Sequence, residues 1–326
     1  VDLPYLSDYL SLLVKYVLVL RPNIADFTAW PDGRMSFTSA GRYFLMDGSF
    51  AEIDTVRCAN GVPTDGHDLR VLPNGHFLLL GSETLTMDLS GYAIFPPGNA
   101  PGGSAAQVKC GIIQELDAQG NLVWDWHAAD HFAFDEVDPT RLTGPNTVDW
   151  THCNALEQDA DGNILLSCRH FNEVVKIDRS TSDIIWHLGG ASNDFTFVND
   201  GGFLGQHDIR RWPDGSITLL DNGRAAVHPA RGVAYMLDEN AHTATALWSR
   251  PYNGSAFSQA MGSVQELSDG GALICWGALT PENSVFRRYA ADGTVTHGFY
   301  FTDTLASYRV RYFEELPFTL HRPTIT

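Results

Sequence analysis

The chain has 326 residues, of which 44% are hydrophobic and 18% are charged, so it is long enough for a globular protein with a sizeable core. Its 30 glycines and 16 prolines indicate many turns and few long helices. Acidic residues outnumber basic residues by 39 to 21, and the formal net charge is −18. This balance argues against nucleic acid or an anionic membrane as a partner, because the cations that neutralise phosphates are scarce.

An apolar run near the N-terminus, residues 9–20, carries Lys15 and is too short to span a bilayer. Neither a basic segment nor a small-residue cleavage site accompanies the run, so no signal peptide is visible. We predict a helical turn followed by a strand from Lys15 to Leu20.

One sequence unit recurs along the chain. It begins with a polar residue, often histidine, and continues with a strand, a tight turn containing Asp-Gly or Asn-Gly, and a second apolar strand. Clear copies begin at His67, His152, His207 and Gly262, and a weaker copy begins at Phe27. A further pair of strands follows each clear copy.

A period of about 50 residues with four strands per unit is typical of a β-propeller. Four clear copies with weaker material at both ends predict an all-β fold of six four-stranded blades, with the active site at the central channel. The two termini are expected to share the closing blade, which removes exposed sheet edges. No linker or change of composition interrupts the pattern, so we predict a single domain over residues 1–326.

Two insertions interrupt the repeats. Residues 95–105 are rich in Pro, Gly and Ala, and residues 126–147 carry His127, His131 and several carboxylates. We interpret each insertion either as a solvated connection or as a lid over one mouth of the propeller.

The second clear copy is the most informative, because it combines an imidazole, an amide and a guanidinium. If Gln158 faces Asn163 across its turn, the antiparallel pairing matches Asn154 with Ser167, Cys153 with Cys168, and His152 with Arg169. Side chains alternate between the faces of a strand, so His152, Asn154 and Arg169 are predicted to share one face. Such groups are costly to bury without a polar role, which favours a functional site.

The same pairing places Cys153 beside Cys168 on the opposite face. The five cysteines show neither a CxxC pair nor zinc-type spacing. A cross-strand disulfide and two reduced core thiols are both consistent with this arrangement.

The repeat alignment brings three histidines to one position. His67, His152 and His207 all begin inner strands, which line the channel of a propeller, so we expect them to point towards it together with Asn154 and Arg169. The remaining histidines lie outside this position, and most of them are interpreted as surface or rim residues: His76, His127, His131, His170, His187, His228, His242, His297 and His321.

Three interpretations of this set of channel-lining side chains remain open. Arg169 and the imidazoles are suited to binding a tetrahedral oxyanion such as sulfate or phosphate, with one histidine acting as a nucleophile. Alternatively, His67, His152 and His207 ligate a divalent metal ion, although a neighbouring arginine cation argues mildly against it. In the third interpretation, the histidines only form hydrogen bonds between blades.

Several segments together resemble the arylsulfotransferase family, the PAPS-independent aryl-sulfate sulfotransferases. They are residues 149–154 (DWTHCN), 161–170 (DGNILLSCRH), 184–190 (IIWHLGG), 205–208 (GQHD), 220–223 (LDNG), 262–265 (GSVQ), 276–277 (WG) and 307–309 (SYR). The resemblance extends from about His67 to Tyr312. It implies a six-bladed propeller that carries out a ping-pong transfer of a sulfuryl group from a phenolic sulfate ester to a phenol.

The resemblance also implies roles for individual residues. His207 matches the histidine that becomes transiently sulfated. His67, His152, Asn154 and Arg169 match the residues that hold the sulfate and handle the phenolic proton. A reaction without metal or nucleotide cofactor, small phenolic substrates and a secreted or periplasmic location are implied as well.

Two alternatives stay beside this prediction, because a fold or family does not determine the reaction. A lyase or isomerase on the same scaffold would use the channel histidines as acid and base or as metal ligands. A non-catalytic propeller would bind a partner on its rim.

Overall fold

The structure is a computed structural model that describes residues 25–94, 100–142, 147–224, 227–252, 256–280, 284–300 and 306–313. The regular structure in these ranges consists of β-strands and four single-turn 3-10 helices, which confirms the predicted all-β propeller. The helices are η1 (Ala128–Asp130), η2 (Phe134–Glu136), η3 (Pro139–Arg141) and η4 (Arg169–Phe171). Within the described ranges, no helix has the length and apolar character needed to cross a membrane.

The first two blades come from the N-terminal part of the described chain. Blade 1 consists of β1 (Ala25–Ala29), β2 (Met35–Ser39), β3 (Arg42–Met46) and β4 (Glu52–Val56). Blade 2 begins with β5 (Thr64–Val71) and β6 (Phe77–Met87), and a small pair, β7 (Ala93–Ile94) and β8 (Ala100–Pro101), follows. It is completed by β9 (Ala106–Leu116) and β10 (Leu122–His127), and β11 (Thr147–Asp149) adds to β9 in parallel.

Three more blades follow with the same inner-to-outer order. Blade 3 consists of β12 (Cys153–Gln158), β13 (Ile164–Cys168), β14 (Glu173–Ile177) and β15 (Ile184–Gly189). After β16 (Thr196–Val198), blade 4 consists of β17 (His207–Arg211), β18 (Ser216–Asp221), β19 (Arg231–Asp238) and β20 (Thr243–Pro251). Blade 5 consists of β22 (Ser263–Glu266), β23 (Ala272–Cys275), β25 (Ser284–Tyr289) and β26 (Val295–Tyr300), while β21 (Phe257–Ser258) pairs with β24 (Leu279–Thr280).

The described residues form five blades, so the prediction of six is wrong for this part of the chain. The four clear copies and the weaker copy correspond to one blade each. The weaker material at the two ends was expected to supply two blades, but in the described residues it supplies one, blade 1, while blade 2 and the insertion after it occupy residues 64–152. The predicted strand from Lys15 to Leu20 and the predicted shared closing blade fall on residues 1–24 and 314–326, outside the described residues.

The inner strands carry β-bulges that the repeat pattern does not reveal. Strand pairing shifts register near the start of the inner strands of blades 1 to 4, and the backbone at Asp208 has φ +60°. The bulges turn acidic side chains towards the next blade. Asp68 accepts a hydrogen bond from Leu156 N at 2.8 Å, and Asp208 accepts one from Val264 N at 3.0 Å. These carboxylates therefore link neighbouring inner strands.

A buried cluster of ion pairs, which we call the central ion cluster, joins the blades at the channel. Its members are Asp26, Asp68, Asp208, Arg210, Arg309 and Arg311. Arg309 reaches Asp26 at 2.5 Å and Asp68 at 2.8 Å, although it lies more than 200 positions away along the chain. The same segment donates and accepts backbone hydrogen bonds with Ser263 of blade 5. Residues 306–313 thus connect blade 5 to blades 1 and 2.

Candidate active site

The hairpin of β12 and β13 places the first site residues. Cys153 pairs with Cys168 as predicted, but their sulfur atoms are 3.7 Å apart and both thiols are free. The next pair joins Ala155 to Ser167, because Asn154 lies in a bulge. The predicted pairing of Asn154 with Ser167 is therefore wrong by one residue.

His67 and His152 lie together, with ring centroids 5.1 Å apart in an edge-to-face arrangement. Each binds a carboxylate through Nδ1: His67 contacts Asp65, and His152 contacts Asp149 at 2.5 Å. Within the described part of the chain, no hydrogen-bond partner is found for either Nε2. Burial lowers the pKa of His152 despite the opposing effect of Asp149. The two residues are therefore carboxylate–imidazole pairs with a free Nε2.

His207 is buried and has a different partner. Its Nδ1 lies 2.8 Å from Asn222 Oδ1. The orientation of the Asn222 amide is determined by its other end, since Nδ2 donates to Ser258 Oγ and to Met261 O, each at 2.9 Å. Oδ1 is therefore an acceptor, and His207 Nδ1 must carry the proton.

The same assignment leaves a lone pair on His207 Nε2, which accepts a hydrogen bond from Met261 N at 3.1 Å. Burial lowers the pKa of His207 well below its usual value, and the positive charge of Arg169 adds to this effect. The ring is consequently a neutral imidazole with a fixed tautomer. Sequence reasoning assigned no role to Asn222, which lies 15 positions further along the chain.

Arg169 is the first residue of η4, directly after β13. It donates a hydrogen bond from Nη2 to Gln259 O at 2.5 Å, and its Nη1 lies 3.1 Å from His170 Nε2. Its Nε is buried, and no hydrogen-bond partner for it is found in the described ranges. Burial lowers the pKa of Arg169 to about 10, and the charge of Arg141 contributes.

Asn154 is fully buried, and its donor group is bound to a backbone carbonyl. Its Nδ2 donates to Gln206 O at 2.7 Å, so the amide holds the residue that precedes His207. The remaining Oδ1 has no partner in the described part of the chain. Because Oδ1 is an acceptor, Asn154 is suited to positioning β17 rather than to holding an anion.

His170 belongs to the site, although we predicted a surface or rim position. It is buried, and its ring stacks on His152 with a centroid distance of 4.6 Å. Arginine is only a donor, so Nε2 accepts from Arg169 and Nδ1 donates to Asp149 O at 2.7 Å. Burial and the nearby His152 lower the pKa of His170 to about 3, so its ring is neutral.

Arg141 is a second residue that sequence reasoning missed, although it lies in the insertion predicted as a lid. Its Nη2 is 2.8 Å from the position that a Cβ on Gly205 would occupy. Gly205 precedes His207 by two residues, so the guanidinium group lies against the segment that leads into β17. Among the described residues, no hydrogen bond or ion pair involves its guanidinium, and its Nε is buried. The pKa of Arg141 is lowered by burial and by the charge of Arg224.

The insertion is anchored beside Arg169. Asp138 N donates to His170 O at 2.9 Å, and the Asp138 carboxylate accepts from Asn172 Nδ2 at 3.0 Å. The guanidinium groups of Arg141 and Arg169 are close enough for the charge of Arg141 to lower the pKa of Arg169, and the charge of Arg169 acts on His207 in turn. An arrangement of this kind is suited to an anion with several oxygen atoms.

Two groups of donor atoms in the described residues are close enough to hold a metal ion, with separations within 4.8 Å. One consists of Asp149, His152 and His170, and the other consists of Glu136, Glu173 and His187. Neither group includes His67 or His207. The alternative of a metal held by His67, His152 and His207 finds no matching cluster in this part of the chain.

Comparisons with known proteins identify a family and a fold. The family model described as Arylsulfotransferase (ASST) matches residues 13–297, and no curated protein matches the chain. A protein of unknown function from Bacteroides caccae superposes with a TM-score of 0.51 at 12% identity, covering 88% of this chain and 85% of that one. Virginiamycin B lyase from Staphylococcus aureus gives 0.46 at 12% identity, with coverages of 86% and 72%.

Proposed function

The chain belongs to the arylsulfotransferase family, and from this membership we propose that it transfers a sulfuryl group from a phenolic sulfate ester to a phenolic acceptor through a sulfohistidine at His207. One observation carries the assignment of the nucleophile. His207 is a buried neutral imidazole whose Nδ1–H is held by Asn222, so that Nε2 carries the lone pair. Nε2 is the atom that a nucleophilic histidine requires.

In the first half-reaction, His207 Nε2 attacks the sulfur atom of the donor ester. The new N–S bond forms as the bond between sulfur and the phenolic oxygen breaks, and its electron pair leaves on that oxygen. The imidazole ring gains positive charge, which the Nδ1–H···Oδ1 hydrogen bond to Asn222 stabilises. In the second half-reaction, the oxygen of the acceptor phenol attacks sulfur, and the N–S electron pair returns to Nε2.

Arg169 and Arg141 supply the positive groups around the sulfuryl oxygens. Arg169 now donates to Gln259 O, a backbone carbonyl that a sulfuryl oxygen would replace as the acceptor. Arg141 has no acceptor in the described residues and lies against Gly205. Charge-assisted hydrogen bonds from two guanidinium groups would hold the anion in line with Nε2.

His67 and His152 are suited to handling the phenolic proton. Each is held at Nδ1 by an aspartate, and each has an Nε2 without a partner in the described residues. Burial favours the neutral ring of His152, so the proton donated from Nε2 to the departing phenolate is one that the ring has taken up beforehand, from solvent or from the phenol of the preceding cycle. The resulting neutral imidazole then accepts the proton of the incoming phenol.

The segment 258–262 has to shift before sulfur can reach His207. Met261 N donates a hydrogen bond to the lone pair of His207 Nε2, and Gln259 O accepts one from Arg169 Nη2. Met261 itself has φ +66°, a conformation that costs energy for a residue with a side chain. Binding of the anion therefore exchanges two contacts of this segment for contacts with substrate.

The proposed reaction uses neither a metal ion nor a nucleotide. A secreted or periplasmic location stays a prediction that rests on the family alone. The lyase, isomerase and rim-binding alternatives also stay predictions, and the likeness to virginiamycin B lyase, at a TM-score of 0.46, carries no argument for them.

The test is intact-mass measurement after brief mixing of the full chain with 4-nitrophenyl sulfate, with nitrophenol release followed by absorbance. We expect a mass gain of one sulfuryl group that maps to His207 and disappears when a phenol is added. The His207→Asn protein should show neither the adduct nor the burst of nitrophenol.

A matched control is His242→Asn, since His242 packs against Phe195 in the outer part of blade 4. This variant should keep the adduct and the burst. An adduct that persists in the His207→Asn protein, or wild-type turnover by that protein, would contradict the proposed nucleophile.

A further inference from the structure

A second cluster of ionisable groups lies between the insertion and blade 3, and it takes no part in the proposed transfer. Glu136 belongs to η2, Glu173 begins β14, and His187 lies on β15. One donor atom from each lies within 4.8 Å of the others. The cluster therefore joins the insertion to blade 3.

Glu173 is the central observation, because its side chain is 0% exposed. Oε1 lies 2.9 Å from His187 Nδ1, whereas the buried Oε2 has no hydrogen-bond partner among the described residues. An unpartnered carboxylate oxygen in the interior is costly, so a cation is expected to balance it. Gly190 is close to this oxygen: a Cβ there would lie 2.5 Å from Oε2.

The charges of the cluster match a divalent cation. Two carboxylates beside a neutral imidazole carry two negative charges, whereas a single proton on His187 leaves one charge uncompensated. A third carboxylate lies beside the cluster, since Asp194 Oδ2 accepts a hydrogen bond from His187 N at 2.8 Å.

The geometry also suits a metal ion. Tetrahedral ligand atoms about 2.1 Å from one ion are about 3.4 Å apart, so the 2.9 Å between Glu173 Oε1 and His187 Nδ1 has to widen by only about 0.5 Å. Glu136 is already held in place, since Oε1 accepts from Ala133 N and Oε2 accepts from Ser192 Oγ, each at 2.6 Å. Supporting hydrogen bonds of this kind orient metal ligands.

We propose that Glu136, Glu173 and His187 form a binding site for a divalent transition-metal ion, with Zn²⁺ as the best match to one imidazole and two carboxylates. The ion fastens η2 to blade 3. Arg141 follows Glu136 by five residues, so the ion also steadies the insertion that carries this guanidinium. The site is independent of the sulfuryl-transfer proposal.

The experiment uses the full chain, freed of metal with a chelator and then titrated with Zn²⁺ alone by calorimetry. We expect one equivalent to bind and to raise the melting temperature. Co²⁺ in place of Zn²⁺ should give the visible absorption of a protein-bound ion. Glu173→Gln preserves the shape of the side chain, and we expect it to weaken binding at least about tenfold.

Two matched controls distinguish this site from other clusters. Glu115→Gln alters a similar histidine–glutamate pair, that of His76, and Asp149→Asn alters the cluster in the active site. Both variants should retain the binding of Zn²⁺. Absence of saturable binding in the wild type, or binding that Asp149→Asn abolishes and Glu173→Gln leaves intact, would overturn the proposal. If Glu173→Gln fails to fold, His187→Gln provides the same comparison.

Discussion

Three histidines occupy equivalent repeat positions, yet their partners give them different chemistry. His67 and His152 contact aspartates, whereas His207 contacts the neutral amide of Asn222. A carboxylate favours imidazolium and suits a group that exchanges protons. An amide oxygen favours the neutral Nδ1–H tautomer and suits a nucleophile. The identity of one hydrogen-bond partner therefore separates the roles of residues that look alike in sequence.

Replacing Asn222 tests this distinction. The pKa of His207 lies well below its usual value, so we expect the nitrophenol burst of the wild type to keep its rate as the pH falls to about 5. Asn222→Asp places a negative charge at Nδ1 and should raise the pKa of His207, so that the rate falls as the pH drops below about 6.5. The measurement is the burst rate against pH.

Ser258→Ala is the control, because it removes a partner of Asn222 without adding a charge. Its pH profile should match that of the wild type. If the wild-type rate itself declines near pH 6.5, the buried neutral imidazole is refuted as the nucleophile.

At the scale of elements, the insertion between β10 and β11 lies against blade 3 and against the residues that precede β17. Its short helix η3 brings Arg141 against Gly205, and Asp138 ties it to Asn172 of blade 3. The inner strands supply the imidazoles, and the insertion supplies a second guanidinium. An insertion that departs from the repeat is therefore part of the site.

Arg141→Gln should weaken binding of the sulfate donor. Losing one charge-assisted hydrogen bond to an anion costs about 1.5–3 kcal/mol, so we expect KM for 4-nitrophenyl sulfate to rise roughly ten- to hundredfold. The change in kcat should be smaller, since His207 keeps its partners. Steady-state kinetics at constant ionic strength separates the two constants.

The control for this change is Arg179→Gln, which removes an arginine that pairs with Glu115 outside the site. Its KM should equal that of the wild type. An unchanged KM in Arg141→Gln would remove Arg141 from the anion site.

At the scale of the whole molecule, the central ion cluster joins blades that are distant in sequence. Burial alone would raise the pKa of Asp208, but Arg210 and Arg311 outweigh it and hold the pKa at about 2. Asp149 also has a pKa of about 2, because His152 overcomes the effect of burial. Asp26 is the exception, since burial raises its pKa to about 6.

These shifts predict the dependence of stability on pH. A carboxyl group with a folded pKa of about 2 and an unfolded value of 3.8 stabilises the fold above pH 3.8, and the effect is lost as the pH falls towards 2. Asp26 has the opposite sign, and its contribution is lost as the pH rises from 3.8 to about 6. We expect the urea midpoint to fall steeply between about pH 4 and 2.

Asp208→Asn isolates the contribution of the cluster. The substitution removes a negative charge that pairs with Arg210 and Arg311. Breaking a buried ion pair lowers the free energy of unfolding by about 3–5 kcal/mol at neutral pH. Urea unfolding at pH 7 measures the loss. Asp269→Asn is the control, since Asp269 forms an exposed pair with Arg288, and its midpoint should stay close to that of the wild type. Equal midpoints for both variants would show that the cluster contributes little.

The sequence by itself determined the features that depend on local periodicity. Alternating apolar strands and repeated turns identified an all-β propeller, and the repeat position brought His67, His152 and His207 to the start of inner strands. The pairing of Cys153 with Cys168 was also predicted correctly, although the assumed register at the turn was wrong by one residue: Gln158 pairs with Ile164, and the bulge at Asn154 restores the match.

Only the tertiary structure decided the features that depend on contacts between residues far apart in the sequence. The tautomer of His207 depends on Asn222 and Met261, and Arg141 reaches the site from an insertion outside the repeat. His170 escaped notice because it follows β13 in a 3-10 turn, where strand alternation no longer applies. The bulge at Asn154 was missed because a repeat pattern carries no information about single extra residues. The number of blades was overestimated because the weaker material at both ends was counted as two blades. Contacts across blades were missed because they have no fixed spacing in sequence.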